Sequence, residues 1–314
     1  MDANMIPLIP EKLSPGDKIG IISPSDPVLP DQEDRLAEGR DDLAAMGFKV
    51  KLGRHIHSNT LGYAASPEEK ALDINSMFAD PEVKAIICTQ GGDTANAPLP
   101  LIDWPLIRQN PKIFMGLSDI TVLLNAIHQQ TGLVTFHGND ILWGFGNNLD
   151  DYERSEFKRT LVAGESGRIP PNRPRKTIRS GRSAGKLLGG NLRCLLKLAG
   201  TPFWPDFTDA ILFIEAYEIS PKGCHTAFHQ MAQMGVFDQI RGAVVGYIDS
   251  MQRDAGAGPY MEDILLEVTA GHSFPILKMN DFGHNCPNTV LPVGGMAELD
   301  ANQHSLEITT PCTK

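Results

Sequence analysis

The sequence lacks long hydrophobic runs and an excess of positive charge. No run of 18 apolar residues occurs, so no transmembrane helix is expected. The chain does not start with a cationic segment followed by a long apolar one, so no signal peptide is expected. Lysine and arginine number 28 against 38 acidic residues, which gives a net charge of −10. This balance disfavours a general nucleic-acid binder and a protein of anionic membrane surfaces.

Cysteine is also scarce, and its spacing excludes several kinds of site. The five cysteines are odd in number and widely spaced, with no C-x-x-C, which is typical of a reduced, cytoplasmic protein. His225 and His229 form one i,i+4 pair beside Cys224, and His55 and His57 alternate, but neither pair has further ligands nearby. A G-x-G-x-x-G motif is missing. We therefore predict neither a metal site nor a dinucleotide site.

What is present is a chain of 314 residues with the apolar content of a globular protein. Apolar runs alternate with helical patterns through residues 1–145, which predicts an α/β fold with a parallel sheet covered by helices. The predicted strands are 18–23, 48–52, 83–89, 112–115 and 133–136. The predicted helices are 31–46, 66–78, 99–109 and 119–130, and the second of these carries a capping box at its start.

The composition changes near residue 146. Residues 146–184 are interpreted as a linker, and the six basic residues without an acid in 166–183 as a solvated face rather than a nucleic-acid patch. Residues 185–314 read as a second, mixed α/β domain, with helices at 191–198, 226–234 and 260–269 and strands at 210–215, 243–248 and 274–279. A strand pair is expected over 289–309 around the turn at 300–302.

Ser118 lies where a predicted strand runs directly into a helix, in KIFMGLSDIT. A serine on such a turn exposes its hydroxyl above the sheet edge, as a nucleophile requires. The spacing alone favours an ordinary helix N-cap at this position. Gly91 and Gly92 follow the most apolar strand, where they form either a simple tight turn or a close approach that supplies an N–H to an oxyanion.

Two further residues have both a functional and a structural interpretation. His284 lies in the loop Phe282–Asn285 after a predicted strand and is either a general base or simply solvated. Glu215 ends the apolar strand AILFIE, and a carboxylate there needs a partner. That partner is a histidine, which Glu215 would orient, or an arginine.

Several longer stretches match one family in order, spacing and residue identity. They are GDKIGIISPS, IICTQGGDTANAPLPLIDW, PKIFMGLSDITVLLNAI, LVTFHG, GKLLGGNL, GTPFWPDFTDAILFIE and FGHNCPNTVLPVGGMAELD. With them the chain resembles, along nearly its whole length, the LD-carboxypeptidase family of serine peptidases. That family contains muropeptide LD-carboxypeptidases and microcin C immunity peptidases.

The resemblance implies a Ser–Glu–His triad divided between two domains. Ser118 matches the nucleophile, Glu215 the triad glutamate, with Glu218 as a fallback, and His284 the base. It also implies an oxyanion hole made by the backbone N–H groups of Gly92 and Asp119. The fold that it implies is a parallel-sheet N-terminal domain and a mixed, swivelling β-barrel-like C-terminal domain. The active site then lies in the cleft between the domains.

Substrate contacts are expected from a small set of residues at or near these motifs: Gly91, Asp93, Asn96, His137 and Asn191. Trp143 and Trp204 either stack on a substrate ring or simply pack. The resemblance implies no cofactor and a homodimer, with a small peptide or peptidyl-nucleotide substrate and neither nucleic acid nor membrane as partner.

Two branches of the family remain as alternatives. The residues after Gly92, Asp93–Asn96, resemble the immunity branch, whereas the interval from Ser118 to Glu215 resembles the shorter muropeptide branch. The first expectation is an LD-carboxypeptidase of cell-wall recycling. The others are a peptidase for peptidyl or aminoacyl nucleotides, a non-catalytic muropeptide-binding protein, and an unrelated nucleotide- or amide-handling α/β protein.

Overall fold

Two β-sheets form the framework of the protein. The computed structural model describes residues 7–252 and 258–314. The strands are β1 Lys18–Ile22, β2 Lys49–Leu52, β3 Val83–Cys88, β4 Ile113–Gly116, β5 Thr135–His137, β6 Gly167–Arg168, β7 Lys176–Arg179, β8 Arg182–Asn191, β9 Ala210–Glu215, β10 Gly242–Tyr247, β11 Ile276–Gly283, β12 Leu291–Val293, β13 Met296–Asp300 and β14 Ser305–Ile308.

The α-helices cover the sheets and connect the strands. They are α1 Glu33–Ala45, α2 Pro67–Ala79, α3 Trp104–Gln109, α4 Thr121–Thr131, α5 Asp151–Phe157, α6 Leu192–Leu196, α7 Pro221–Gln233, α8 Val236–Gln239, α9 Asp249–Gln252 and α10 Met261–Val268. None of these helices is long and apolar enough to span a bilayer.

The first sheet has the order β12-β5-β4-β3-β1-β2. The five strands from the first half of the chain are parallel, as their alternation with helices predicted. The sixth strand, β12, lies within the predicted strand pair 289–309, but its pairing was missed, because it pairs antiparallel with β5 from the first half of the chain. A run of three residues carries too little pattern to reveal its partner. This strand ties the second half of the chain to the first sheet.

Local sequence explains where two of the helices start. In α2 the hydroxyl of Ser66 accepts the Glu69 N–H, and the Glu69 carboxylate accepts the Ser66 N–H, which confirms the predicted capping box. The predicted helix 99–109 is shorter, because Leu99–Leu101 forms a separate 3₁₀ turn. The Asp103 carboxylate then accepts the Leu106 N–H and starts α3 afresh.

The second sheet is mixed, with the order β6-β14-β13-β8-β9-β10-β11-β7. Strands β8 to β11 are parallel, and the flanking strands are antiparallel. The predicted strand pair at the end of the chain contains the hairpin β13–β14. Strand β8 was missed because glycines interrupt its apolar pattern. An ideal Cβ at Gly189 would lie 1.8 Å from the Phe213 carbonyl oxygen, so this close strand pairing requires glycine.

The segment 146–184, predicted as a linker, contains α5, β6, β7 and the beginning of β8. Its basic residues do not form a uniformly solvated face. Arg175 donates from Nε to Asp281 at 2.8 Å, and the side chains of this pair are 1% and 0% exposed. Asp281 also accepts the backbone N–H groups of Asn172 and Arg173. The solvated interpretation is therefore wrong for Arg175, which anchors this segment to the second sheet.

Replacing Asp281 tests this anchor. Asp281→Ala leaves the Arg175 guanidinium buried without its counter-charge, so we expect the free energy of unfolding to fall by about 3–5 kcal/mol. Urea denaturation followed by circular dichroism measures this change. The control is Glu298→Ala, which breaks the exposed pair with Arg182 and should cost less than about 1 kcal/mol. Equal losses in the two variants would contradict the assignment.

Candidate active site

Ser118 lies on a strained turn between the first sheet and a helix. Strand β4 ends at Gly116, a 3₁₀ turn covers Ser118–Ile120, and α4 begins at Thr121. The φ angle of Ser118 is 63°, in the left-handed region that residues other than glycine seldom occupy. Such strain persists only where surrounding contacts enforce it, and it clusters at functional sites. A simple N-cap serine has extended backbone angles, so this conformation favours the nucleophile interpretation.

The glycine pair after β3 packs directly against this turn. An ideal Cβ at Gly91 would lie 2.6 Å from Cβ of Ser118 and 3.2 Å from the Asp119 backbone nitrogen. At Gly92, whose φ is 138°, a Cβ would lie 2.2 Å from a carboxylate oxygen of Asp26. Both positions therefore exclude a side chain. The glycine turn therefore lies directly against the side chain of Ser118 and the backbone nitrogen of Asp119.

The side chain of Asp119 joins three segments, a role that the sequence did not suggest. Its Oδ2 accepts the Ser25 hydroxyl at 2.7 Å and the Ala95 N–H at 2.8 Å. Its Oδ1 accepts Lys197 Nζ at 2.6 Å. Although burial lowers the pKa of Lys197, the hydrogen bond and charge of Asp119 outweigh it, so the net pKa is raised. The loop after β1, the loop after β3 and the second half of the chain therefore meet at the Asp119 carboxylate.

Glu215 and His284 form a buried pair on the second sheet. Glu215 is the last residue of β9, and His284 directly follows β11. Oε2 of Glu215 lies 2.6 Å from Nδ1 of His284. This contact selects the histidine partner for Glu215 over the arginine alternative, and it leaves Nε2 of His284 as the ring nitrogen for proton transfer.

Glu215 and His284 stabilise each other's charged forms, which burial alone would disfavour. Burial lowers the pKa of His284, but the charge and hydrogen bond of Glu215 raise it further, so the pKa lies above its ordinary value. For Glu215 burial raises the pKa, whereas the charge and hydrogen bond of His284 lower it below its ordinary value. Asn191 pairs with Glu215 in the β8–β9 register and lowers the carboxyl pKa as well. The arrangement suits an imidazole that becomes an imidazolium during a reaction.

A cavity of about 1060 Å³ brings these parts together. Ser118 and His284 both line it, the first from the amino-terminal half of the chain and the second from the carboxyl-terminal half. Of the expected substrate contacts, Gly91, Asp93 and Asn191 line the cavity, and so does the fallback Glu218. Asn96 lies on the surface outside it.

The expected substrate contact at His137 is wrong for this cavity. His137 is 0% exposed, and its ring packs edge-on against Phe213 at 5.4 Å and Phe282 at 6.1 Å. Burial lowers its pKa to about 4, so the ring is neutral. Strand β5 lies between β12 and β4 in the first sheet, and its side chains are buried. The sequence alone showed a polar residue beside a glycine and gave no sign of this burial. His137 is therefore buried near the Glu215–His284 pair and does not line the cavity.

Aromatic and basic residues complete the cavity wall. Trp143 lines it with half of its surface exposed, and its indole N–H donates to Gln90 at 3.1 Å. Trp204 instead packs on Phe207. The sequence interpretation also missed Arg193, Lys197 and Tyr217, which line the cavity. The only sequence signal for these three residues was that they lie close in the chain to the GGNL motif or to Glu215.

No group of three or more potential metal ligands lies together within residues 7–252 and 258–314. The rings of His225 and His229 are neighbours with centroids 4.3 Å apart, and both residues are exposed on α7. All five cysteines are free.

Two family models match the chain. The LD-carboxypeptidase N-terminal domain matches residues 19–138, and the LD-carboxypeptidase C-terminal domain matches residues 184–299. The chain belongs to the LD-carboxypeptidase family. Members of this family are serine peptidases, so the strained serine and the carboxylate-bound histidine lie in a protein of the matching class.

Named relatives fall into both branches of the family. A probable murein peptide carboxypeptidase of Bacillus subtilis is 33% identical, covering 95% of this chain and 93% of the relative. The microcin C7 self-immunity protein MccF of Escherichia coli is 30% identical, covering 96% of each. The structure of MccF in complex with glutamyl sulfamoyl guanosine superposes with a TM-score of 0.91 at 28% identity, covering 98% of this chain and 100% of that chain.

The Glu215–His284 pair can be tested by titration. Glu215→Gln removes the charge that raises the pKa of His284 and leaves the burial that lowers it, so we expect this pKa to fall below its wild-type value. The neutral form of His284 then persists to lower pH. NMR titration of the imidazole nitrogens measures the shift, with His284→Asn assigning the resonance.

A matched control changes another carboxylate near a histidine. Asp238 lies 4.0 Å from His272 on the surface, and Asp238→Asn should leave the titration of His284 unchanged. An unchanged or raised His284 pKa in Glu215→Gln would show that the carboxylate does not stabilise the imidazolium.

Proposed function

We propose that this chain is a serine LD-carboxypeptidase with Ser118 as nucleophile, His284 as general base and Glu215 as the residue that orients the base. The bond cleaved is the amide between the L-centre of a diamino acid and a C-terminal D-amino acid in muropeptides. The observation that carries this proposal is the 2.6 Å hydrogen bond between His284 and Glu215. It is supported by the fact that His284 and Ser118 line the same cavity.

The first half of the reaction forms an ester. Nε2 of His284 takes the proton of the Ser118 hydroxyl as its oxygen attacks the amide carbonyl. Glu215 holds Nδ1–H and stabilises the imidazolium. The backbone N–H groups of Gly92 and Asp119 donate to the oxyanion, and each such donor contributes roughly 10²–10³ to the rate. The amine leaves with the proton from His284.

The second half releases the acid. His284 takes a proton from water, the resulting hydroxide attacks the ester carbonyl, and the proton returns to Ser118 as the acyl group leaves. The products are the shortened peptide with a new carboxylate and the free D-amino acid. Every proton in this cycle is exchanged among side chains of this chain, substrate and water.

We further propose a cytoplasmic location and a homodimer. Five free cysteines support the first, because disulfides form and persist in oxidising compartments. The homodimer rests on resemblance to the family.

A second candidate function is cleavage of aminoacyl or peptidyl nucleotides of the microcin kind. It is favoured by the TM-score of 0.91 to a protein bound to a sulfamoyl nucleoside, and by the exposed indole of Trp143 in the cavity wall. Both functions use the same nucleophile and base. They differ in what leaves, a D-amino acid or a nucleotide.

Ser118→Ala tests the proposed nucleophile when it is assayed beside the wild type, and the choice of substrate distinguishes the two functions. We expect the wild type to release D-Ala from an L-Ala–D-Glu–diamino acid–D-Ala tetrapeptide, measured by mass spectrometry. The variant should lose at least about 10³-fold, because the attacking oxygen is gone. The control is Ser180→Ala, an exposed serine outside the cavity, which should retain wild-type activity.

The same two proteins are assayed on an aminoacyl-sulfamoyl adenosine. Cleavage of this conjugate alone would replace the muropeptide function with the second candidate. Full activity of Ser118→Ala on either substrate would contradict the proposed nucleophile. No turnover of either substrate by the wild type would contradict both candidates and favour a non-catalytic binding protein.

A further inference from the structure

The cavity is lined by many more acidic than basic side chains. Six carboxylates line it: Asp26, Asp93, Asp140, Asp150, Glu153 and Glu218. Several are already engaged with the backbone, for example Asp140, which accepts the N–H groups of Trp143 and Gly144. A negatively charged part of a substrate would be repelled from such a wall except beside a cation.

Of the lysines and arginines in the described chain, two line this cavity, Lys197 and Arg193. Lys197 is already engaged. Its Nζ donates to the Asp119 carboxylate at 2.6 Å and to the Asp93 carbonyl oxygen at 2.9 Å, and Asp93 Oδ1 lies 3.7 Å away. Its charge is therefore matched within the protein.

Arg193 is placed differently. It lies in α6, two residues after Asn191, and it is exposed to the cavity. Its Nη2 donates to the backbone carbonyl oxygen of Tyr217 at 3.2 Å. The Tyr217 carbonyl accepts one of the guanidinium N–H groups. The side chain is exposed in the cavity wall, so its other N–H groups are available to a ligand. The planar guanidinium fork fits two oxygens of a carboxylate or phosphate side by side.

Tyr217 links this cation to the catalytic base. Its ring stacks on the imidazole of His284 with centroids 5.0 Å apart and an interplanar angle of 32°. Arg193 is held by the carbonyl of the same residue. The charge of Arg193 is also close enough to His284 to lower the pKa of the imidazole, against the larger effects of burial and Glu215. The guanidinium and the imidazole of the proposed base therefore both contact Tyr217.

We propose that Arg193 binds the anionic group of the leaving fragment, which in the proposed reaction is the α-carboxylate of the C-terminal D-amino acid. This inference rests on the proposed function. In a C-terminal residue, a single carbon separates the carboxylate from the scissile nitrogen. A cation near His284 can therefore bind this carboxylate while the nitrogen lies at the base. An internal peptide bond offers an amide there, which leaves the guanidinium without its partner. Arg193 thus selects cleavage at the chain end.

The same chemistry applies to the second candidate substrate. The phosphate or sulfamate of an aminoacyl nucleotide is also an oxyanionic group next to the bond that breaks. Arg193 would bind it in the same way, so the experiment includes both anions.

The experiment compares acid and neutral forms of one ligand. Binding is measured by calorimetry in a Ser118→Ala background, with the tetrapeptide ending in D-Ala or in D-Ala carboxamide, and with adenosine monophosphate or adenosine. We expect a preference for an anionic form that Arg193→Met reduces by about 10- to 100-fold, the usual effect of losing hydrogen bonds to a charged group. Affinity for the neutral form should stay unchanged. Arg193→Lys should restore part of the preference.

Activity gives an independent readout with Ser118 intact. Arg193→Met should lower kcat/KM for D-Ala release mainly through KM, and should not affect hydrolysis of the carboxamide. The control is Arg241→Met, an exposed arginine paired with Asp209 outside the cavity, which should behave as wild type.

Two results would overturn the inference. One is an Arg193→Met variant that keeps the full preference for the anion or weakens both forms equally. The other is an Arg193-containing protein that prefers neither anion to its neutral counterpart. If the anion preference is found but the wild type releases no D-Ala, the proposed function fails and the assignment of Arg193 stands.

Discussion

The buried carboxylate of Asp119 holds together the three segments on which the cleft depends. It is 0% exposed, and a charge removed from water must be paired and hydrogen-bonded. Its partners are Ser25 after β1, Ala95 in the loop after β3, and Lys197 after α6. Satisfying one carboxylate thus fixes the glycine turn and the second half of the chain relative to Ser118.

The rest of the interface follows from this arrangement. Thr121, in the first turn after Ser118, accepts the Asn191 backbone N–H at 2.9 Å. The Asn125 side chain donates to the Gly189 carbonyl oxygen at 2.8 Å. Strand β12 adds a chain segment from the second half to the first sheet. The proposed nucleophile on one sheet and the proposed acid–base pair on the other can cooperate only if their separation is fixed, and these contacts supply that constraint.

Local patterns predicted what local interactions decide. The capping box at Ser66, the parallel strands of the first half and the strand-to-helix turn at Ser118 are all set by residues close in sequence. The proposed roles of Glu215 and His284 needed the resemblance to the family, because spacing alone left an arginine partner and a solvated histidine as alternatives.

The features that were missed depend on distant partners. Lys197 and Asp119 are 78 residues apart, and Arg175 and Asp281 are 106 apart. Strand β8 contains glycines for contact with β9, which conceals its apolar pattern. His137 was wrongly expected in the cavity, because the residues that bury it, Phe213 and Phe282, are distant in sequence. In each case the partner is brought near only by the complete fold.

The most direct test of the account is to look for the covalent intermediate on Ser118. Protein quenched in acid during turnover of the tetrapeptide is digested and analysed by mass spectrometry. The account predicts an ester of the tripeptide acyl group on the peptide that contains Ser118, absent when His284 is replaced by alanine. An acyl group on another residue, or D-Ala release by a protein in which Ser118 is chemically blocked, would contradict it.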